Sequence, residues 1–411
     1  MGEIAKPQRR QKIVIATLTR EQGETGVHTH FNVFKNYLLA NGIEAIAITP
    51  FSFYLWLVVP VFAIRKLIDK LSGPLSVWWY RYWHYFFLKQ ALVSQLAEQA
   101  QNNLPVIIYA QEPLAAKAAL EARSSEQQKV VMIVHFNGSQ ADEWVGKGKI
   151  KRTSRVYQEI KQLESSVLTS VDGIVYTTHF MKQLIEKNIP FATRIKSTIL
   201  PCFVPKNCSK ASKTSIKPTG DLINIGTLEA RKNQSYLLQV LAESKKRGKQ
   251  YSLTLVGHGI DQEKLTMLAQ NLGVDQQVKF MGFQKNAAQL LANHQVYVHS
   301  ALIESFGIVL VEAMSYGLPL LAGAVGGVVE VFSDGVEGFY WPLENPAAGA
   351  EKLIRLMEDV DKRNEMAQAA QTRFFKSFEL SVVADQLLAF LYEVSETGSA
   401  SADTILSPTH S

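Results

Sequence analysis

Residues 299–323 read HSALIESFGIVLVEAMSYGLPLLAG, and this stretch decides the fold. A strand that ends at His299–Ser300 leads through a short loop into an apolar helix beginning near Phe306, and a second apolar strand, LPLLAG (318–323), follows at once. A strand, a helix and a strand in this order require parallel pairing and a right-handed crossover. The stretch therefore predicts one unit of a parallel α/β sheet.

The same alternation of apolar strands and helical segments runs through both halves of the 411-residue chain. A chain of this length suits two domains better than one. We therefore predict two doubly wound, Rossmann-like α/β domains. The predicted strands are KIVIATL (12–18), IEAIAIT (43–49), PVIIYA (105–110), KVVMIVHF (129–136), GIVYTT (173–178) and RIKSTIL (194–200), then LINIGT (222–227), YSLTLVG (251–257), VKFMG (278–282), VYVHS (296–300) and LPLLAG (318–323).

A linker is predicted near residues 201–220, where Pro, Gly, Ser and Lys replace the apolar period. We expect an N-terminal domain over 1–205 and a C-terminal domain over 206–375. The segment 361–394 is helical in pattern, and we expect a final helix, 376–395, to return to the N-terminal domain. The remaining residues, 396–411, have the composition of a frayed end.

Composition and charge indicate a globular protein, with 47% apolar and 19% charged residues. The start lacks the apolar core of a signal peptide, which predicts a cytoplasmic location. Cys202 and Cys208 have neither metal nor disulfide spacing, and we expect both to be reduced. Residues 1–200 carry 24 Lys and Arg against 15 Asp and Glu, so this basic half should meet an anionic partner. No nucleic-acid module accompanies the charge, and no nucleic-acid partner is expected.

Residues 51–90 form an aromatic insertion that does not fit a plain Rossmann-like half. Its longest apolar run, from Phe51 to Ile64, is interrupted by Pro60 and is too short to cross a bilayer. Tryptophans lie near Arg65, Arg81 and other cations, a mixture typical of contact with anionic lipid headgroups. Two interpretations stay open: peripheral contact with a membrane or a lipid-linked acceptor, and a buried insertion whose rings simply pack.

Two acids in the first stretch, Glu304 and Glu312, are separated by seven residues. Glu312 lies among apolar residues, and a carboxylate is rarely buried there without a partner. Hydroxyl groups of a ribose and of a sugar ring would suit the two acids. The amides of Ser305, Phe306 and Gly307 lie where the helix begins, and such amides bind anionic phosphates. An alternative is that one acid caps the helix and the other is its single wet position.

The segment ESFGIVLVEAMSYGLPLLAGAVGGVVEVFSDGVEGF (304–339) resembles the donor-binding signature of retaining family-4 glycosyltransferases, also known as glycosyl transferases group 1. The resemblance extends to the first strand, loop and helix (17–49), to GTLEARKNQSYLLQVLAES (226–244) and to VGHGIDQEKL (256–265). It implies the GT-B fold, with two Rossmann-like domains facing a cleft and a C-terminal helix that packs back on the N-terminal domain.

The resemblance also implies roles for individual residues. Glu304 would contact the hydroxyls of the donor sugar, and Glu312 would bind the ribose. The diphosphate would meet Lys232, Arg231 and the amides beside Ser305. The remaining candidates are Phe306 and Gly307 for their amides, Gly26 for close approach of the first loop, Gly257 and Phe283 at the donor pocket, and His135 beside the reacting sugar.

Four positions depart from the family pattern. Thr227 stands where an Arg is common, and Thr25 precedes Gly26 where two glycines are usual. His299 and Ser305 replace the usual Pro and Gly around the first acid. These departures concern the geometry of the loops.

The predicted function is transfer of a hexose-type sugar, with retention, from a nucleotide diphosphate sugar to a saccharide or lipid-linked saccharide in polysaccharide or cell-envelope synthesis. No cofactor and no metal are expected, since no metal-ligand spacing appears. Two alternatives stay open: a sugar-nucleotide epimerase of the same fold, and a non-catalytic protein that binds sugar nucleotides.

Overall fold

The computed structural model describes residues 11–20, 26–101, 105–205 and 218–396. The loop residue Thr25, Cys208, most of the expected linker and the expected tail from 397 onward lie outside these ranges. The chain divides into two units. The N-terminal unit includes residues 1–177, 182–200 and 384–411, and the C-terminal unit includes 178–181 and 201–383.

The N-terminal unit contains a six-stranded parallel sheet in the order β2-β1-β3-β4-β5-β6. The central strands are rich in Val and Ile and almost fully buried, as expected where helices cover both faces of a sheet. Its strands are β1 (Lys12–Ala16), β2 (Ala45–Ile48), β3 (Val106–Ala110), β4 (Gln128–Val134), β5 (Gly173–Tyr176) and β6 (Ser197–Ile199).

The helices of this unit connect the strands as parallel pairing requires. They are α1 (Gly26–Ala40), α2 (Leu55–Leu71), α3 (Gly73–Gln101), α4 (Pro113–Ala122), α5 (Gln140–Gly146), α6 (Arg155–Leu168) and α7 (His179–Asn188). The aromatic insertion forms α2 and the first part of α3. No helix in the described ranges has both the length and the hydrophobicity needed to span a bilayer.

The C-terminal unit contains a second six-stranded parallel sheet, in the order β12-β11-β10-β7-β8-β9. The sequence prediction missed one of these strands, β12, which has only three residues. The strands are β7 (Gly220–Ile225), β8 (Leu253–Val256), β9 (Val278–Gly282), β10 (His294–His299), β11 (Leu320–Ala322) and β12 (Gly338–Tyr340).

Two buried apolar clusters lie in the C-terminal unit. Leu222 and Leu321 belong to one cluster, and the residues next to them along their strands, Ile223 and Leu320, belong to the other. Successive side chains of a strand point to opposite faces of the sheet, so the two clusters lie on opposite faces. The helices are α8 (Gln234–Lys246), α9 (Gln262–Asn271), α10 (Ile308–Ser315), α11 (Val328–Val331), α12 (Pro346–Glu358) and α13 (Val360–Ser377).

The segment predicted as helical over 361–394 contains two helices. The first helix, α13, ends before Phe378 and Glu379. The backbone N–H groups of these two residues both donate to the carbonyl oxygen of Phe374. The second helix, α14 (Leu380–Glu396), follows, and its residues from Ala384 onward belong to the N-terminal unit. There Val394 packs so closely on β5 that a Cβ added to Gly173 would lie 2.9 Å from its side chain. The part of α14 from Ala384 onward therefore packs in the N-terminal unit.

Candidate functional site

Lys232 and Glu304, two of the predicted donor residues, lie at the topological switch point of the C-terminal sheet. The strand order reverses between β7 and β10, whose connections leave toward opposite sides of the sheet. The loops that follow two such strands diverge and leave a crevice at the carboxyl edge, the usual ligand site of an open α/β sheet. Lys232 follows β7 and Glu304 follows β10, so the topology alone brings them to this edge.

Lys232 and Glu304 form a close ion pair in this crevice. The Nζ of Lys232 lies 2.5 Å from Oε2 of Glu304, and Nη1 of Arg231 lies 4.0 Å from the same oxygen. The Nε2 of His299 is 3.5 Å away. Burial would raise the pKa of Glu304, but the cation of Lys232 and the neighbouring His299 outweigh burial and hold this pKa well below its ordinary value. Glu304 is therefore a carboxylate at neutral pH.

Hydrogen bonds to backbone carbonyl groups join the loop after β7 to the loop after β10. The hydroxyl of Ser300 donates to the carbonyl of Lys232 at 2.8 Å, and the amide of Leu302 donates to the carbonyl of Arg231 at 2.9 Å. Arg231 also donates through its guanidinium to the carbonyl of Ile303. These bonds hold the two loops together and fix the guanidinium of Arg231.

Glu312 has a different environment from Glu304. It lies within α10 and is partly buried, and burial raises the pKa of its carboxyl group to about 7. No hydrogen-bond donor or cation of the described chain contacts this carboxyl group. A carboxylate that folding has removed from water without a partner is suited to accept hydroxyl groups of a ligand.

The start of α10 presents free amides, as predicted. The helix begins at Ile308, two residues later than expected, because Gly307 takes a left-handed conformation (φ 83°) as its N-cap. The amides of Phe306 and Gly307 donate to no acceptor in the described parts of the chain. The side chain of Phe306 is buried and packs on Phe378, so Phe306 can serve a ligand only through its backbone.

Gly326 and Gly327 pack against the backbone of the loop that carries Glu304. This contact was not predicted from the sequence. The amide of Gly327 donates to the carbonyl of Glu304 at 3.0 Å. A Cβ on Gly326 would lie 2.2 Å from the Glu304 carbonyl oxygen, and one on Gly327 would lie 1.9 Å from that of Ser305. Only residues without a side chain allow this approach.

Gly257 and Phe283 lie near the same edge of the sheet. Gly257 has φ 133°, and a Cβ there would lie 2.1 Å from the carbonyl oxygen of Gly226. Phe283 is 59% exposed and makes an edge contact with the ring of His258. An exposed aromatic ring beside a ligand crevice offers a face for a planar base.

His135 and Gly26 lie in the N-terminal unit. Gly26 is the first residue of α1. The Nε2 of His135 lies 3.2 Å from Oε1 of Gln111, and its ring packs edge-on against His30. Burial lowers the pKa of His135 to about 4, so the imidazole is neutral at pH 7.

Glu112, which was not predicted from the sequence, lies at the switch point of the N-terminal sheet, after β3. The carboxylate of Glu112 accepts hydrogen bonds from the Thr17 hydroxyl and the Leu18 amide. Burial raises the pKa of Glu112 to about 7. The single signal for it in the sequence was its place directly after a strand.

Two further predictions concern metals and cysteines. Within the described ranges, His, Cys, Asp and Glu side chains form no group of three or more that could hold a metal ion. Cys202 is buried and forms no disulfide in the described ranges, as predicted, and burial raises the pKa of its thiol to about 12.

Residues 209–373 match the family model described as Glycosyl transferases group 1. The N-acetyl-alpha-D-glucosaminyl L-malate synthase of Bacillus anthracis is 32% identical over 142 residues, which are 34% of this chain and 37% of that protein. The phosphatidyl-myo-inositol mannosyltransferase of Mycobacterium leprae (strain TN) is 33% identical over 174 residues, 42% of this chain and 46% of that protein. The matched part thus spans less than half of either relative.

Solved structures of similar fold cover nearly the whole chain. HepE of Anabaena in complex with UDP-glucose has a TM-score of 0.66 at 18% identity, with 93% of this chain and 99% of that chain covered. Sucrose-phosphate synthase from Thermosynechococcus elongatus has a TM-score of 0.66 at 15% identity, with 94% and 99% covered. The chain therefore has the GT-B fold, and its residues 209–373, which include the crevice, are similar to the glycosyl transferases group 1 family.

Proposed function

We propose that this protein is a retaining glycosyltransferase that transfers a hexose-type sugar from a nucleotide diphosphate sugar to a saccharide or lipid-linked saccharide. The observation that carries the proposal is the Lys232–Glu304 pair at the switch point, with the unpartnered Glu312 in the next helix. A cation, a sugar-binding carboxylate and a diol-binding carboxylate in one crevice match the parts of a sugar nucleotide in number and kind.

Each part of the donor has a partner in this crevice. Lys232, Arg231 and the free amides at 306–307 bind the diphosphate and stabilise its growing negative charge as the sugar departs. The carboxylate of Glu304 accepts hydrogen bonds from the sugar hydroxyls, and that of Glu312 accepts them from the ribose. Phe283 offers its exposed ring to the base.

The reaction breaks the bond between the anomeric carbon and a phosphate oxygen, and the electron pair stays on that oxygen. The acceptor oxygen bonds to the anomeric carbon from the same face, and its proton passes to the departing phosphate. Fixed cations and amides supply the charge stabilisation that a metal would otherwise give, so the reaction needs no metal. The neutral His135 serves as a hydrogen-bonding group for the sugar.

The acceptor belongs to the N-terminal unit in this proposal, and polysaccharide or cell-envelope synthesis is the setting. The helix α2 carries an exposed apolar face, in which Trp56 is 73% and Leu71 83% exposed. Apolar and aromatic side chains beside cations bind anionic bilayers from one side. We therefore propose peripheral contact of residues 51–90 with the inner face of the plasma membrane.

A thermal-shift screen with a panel of nucleotide sugars tests the donor site, since a ligand that binds the folded state raises Tm. We expect at least one donor to raise Tm in the wild type. Glu312→Ala should weaken its binding about tenfold or more, because the ribose loses its acceptor. Glu263→Ala, which removes an exposed acid on α9, is the matched control.

Incubation of that donor with and without candidate acceptors, in the presence of EDTA, then separates the alternatives. Acceptor-dependent product with an unchanged anomeric configuration supports the proposal. A new sugar nucleotide formed from donor alone would identify an epimerase, and tight binding without turnover would identify a non-catalytic protein. An inverted product or loss of activity with EDTA would contradict the mechanism.

A further inference from the structure

The N-terminal unit contains a cavity of about 410 Å³ that the donor site does not use. It lies between the carboxyl end of β1 and the helical hairpin α2–α3. Arg20, which follows β1, and Arg65, on α2, both line it. Their guanidinium carbons lie 4.7 Å from the ring centre of Phe51 and 4.4 Å from that of Tyr80. Stacking of this kind fixes a guanidinium while leaving its N–H groups free to bind an anion.

The two arginines are the positive charges of this cavity, and neither forms an ion pair with a carboxylate in the described ranges. His28 and His84 also line the cavity. Burial lowers the pKa of both, that of His84 to about 3, so both are neutral at pH 7. Asp69 lines the cavity too, but both of its oxygens lie 2.8 Å from Nζ of Lys149. The cavity therefore keeps a surplus of positive charge.

A second cavity, of about 430 Å³, opens on the same helical hairpin and is lined almost wholly by apolar side chains. Its walls are Phe53, Leu57, Val61, Trp83, Phe86, Phe87 and Gln90. Leu57 and Val61 are one helical turn apart on α2, whereas Arg65 and Asp69 continue along that helix into the first cavity. One helix thus contributes to both cavities.

Neighbouring aromatic rings line the two cavities. Phe62 lines the charged cavity and Phe87 lines the apolar one, and their ring centres are 6.1 Å apart. Outside this layer, Trp56, Leu67 and Leu71 form the exposed apolar face of α2. A charged pocket, an apolar pocket and an exposed apolar surface therefore follow one another over a short distance.

We propose that these two cavities form one site for an amphiphilic phosphate, with the phosphate on Arg20 and Arg65 and the hydrocarbon chain in the apolar cavity. One guanidinium group can bind two phosphate oxygens at once. A pocket lined by phenylalanine and leucine side chains suits a hydrocarbon chain. The inference rests on the proposed function in one respect, since it makes the acceptor a lipid phosphate. The binding itself does not depend on the donor site.

Binding of decyl phosphate to the full-length protein, measured by calorimetry below its critical micelle concentration, tests the proposal. We expect saturable binding to the wild type. Arg65→Gln should weaken it about tenfold or more through loss of a guanidinium–phosphate bond. Leu57→Asn should weaken it about threefold or more through loss of apolar contact.

Two matched variants serve as controls. Arg155→Gln removes an exposed arginine paired with Glu159, and Leu39→Asn changes an exposed leucine of α1. Both should bind decyl phosphate as the wild type does. The Tm of every variant, measured without ligand, shows whether a loss of binding comes from unfolding.

Inorganic phosphate and decanol identify what the site binds. We expect each to bind far more weakly than decyl phosphate. Inorganic phosphate binding as tightly would make this a site for free phosphate, and decanol binding as tightly would make it a purely apolar pocket; either result overturns the proposal, as does absence of decyl phosphate binding. Failure of the nucleotide-sugar screen with decyl phosphate still bound would refute the donor site alone.

Discussion

The Nζ of Lys232 lies 2.5 Å from Oε2 of Glu304, so the cation expected to bind the diphosphate and the acid expected to bind the sugar form one pair. In the absence of donor each neutralises the other. A donor therefore has to share both partners, and the pair connects recognition of the sugar to recognition of its leaving group.

Lys232→Met should lower kcat/KM by about 100-fold or more, as expected for loss of a fixed charge at the departing group. It should also lower stability, by about 3 kcal/mol, because Glu304 would be left buried without its cation. Steady-state kinetics and denaturant unfolding measure the two effects. Lys246→Met, at an exposed lysine of α8, should leave both unchanged.

The double variant Lys232→Met, Glu304→Gln separates folding from catalysis. Neutralising the acid should restore most of the lost stability while activity stays low. Recovery of activity together with stability would mean that the pair has only a structural role.

Glu312→Gln should stabilise the protein more at pH 8 than at pH 5. The folded pKa of Glu312, about 7, lies above its ordinary value of 4.5, so folding takes up a proton between these values and wild-type stability falls as pH rises through them. The full penalty, on the order of 1–3 kcal/mol, applies above pH 7. Differential scanning calorimetry at both pH values measures it, and an equal Tm difference at both would contradict the raised pKa.

Gly327→Ala should disrupt the donor site, because the added Cβ would meet the backbone carbonyl of Ser305. We expect loss of donor binding in the thermal-shift assay and a lower Tm. Gly248→Ala is the matched control, since Gly248 has φ 75° but open space around it. It should cost only about 1 kcal/mol of conformational strain and leave donor binding intact.

Phe283→Ala should weaken donor binding by about threefold to tenfold through loss of base stacking, with little change in Tm because the ring is mostly exposed. Met267→Ala, which trims an exposed side chain of α9, should change neither quantity. An unchanged donor Kd in Phe283→Ala would place the base elsewhere.

His135→Phe should improve resistance to acid. The folded pKa of His135, about 4, lies below its ordinary 6.5, so the unfolded chain binds a proton first and stability is lost as pH falls through this window. We expect the Tm difference between variant and wild type to shift in favour of the variant from pH 7 to pH 4.5. The same variant should lower kcat if His135 contacts the sugar.

The sequence predicted the fold well because its parallel strands are apolar runs that their helices bury on both faces. A family resemblance implied one donor site for Glu304, Glu312 and Lys232, and the strand order explains why Lys232 and Glu304 meet after β7 and β10. The pairing of Lys232 with Glu304 lay beyond sequence reasoning, because 72 residues separate the two partners. β12 was missed because its three residues, GFY, directly follow the turn-like sequence SDGVE (333–337) and do not belong to a longer apolar run such as the one that contains β11.

The two cavities lined by the helical hairpin α2–α3 were likewise not predicted from the sequence. Residues 51–90 indicated lipid contact by composition, but which rings pack and which face solvent depends on how α2 lies on α3. Phe62 and Phe87 are both phenylalanines in the sequence, and only the folded helices show that Phe62 lines the charged cavity and Phe87 the apolar one.

The backbones of Gly326 and Gly327 contact the carbonyl oxygens of Glu304 and Ser305, and this close contact limits how the donor preference can be engineered. A mutant library aimed at other sugars has to leave these two positions untouched and vary outward-facing side chains instead. Main-chain contacts therefore fix the shape of the loop that carries Glu304, whereas the outward-facing side chains can be replaced.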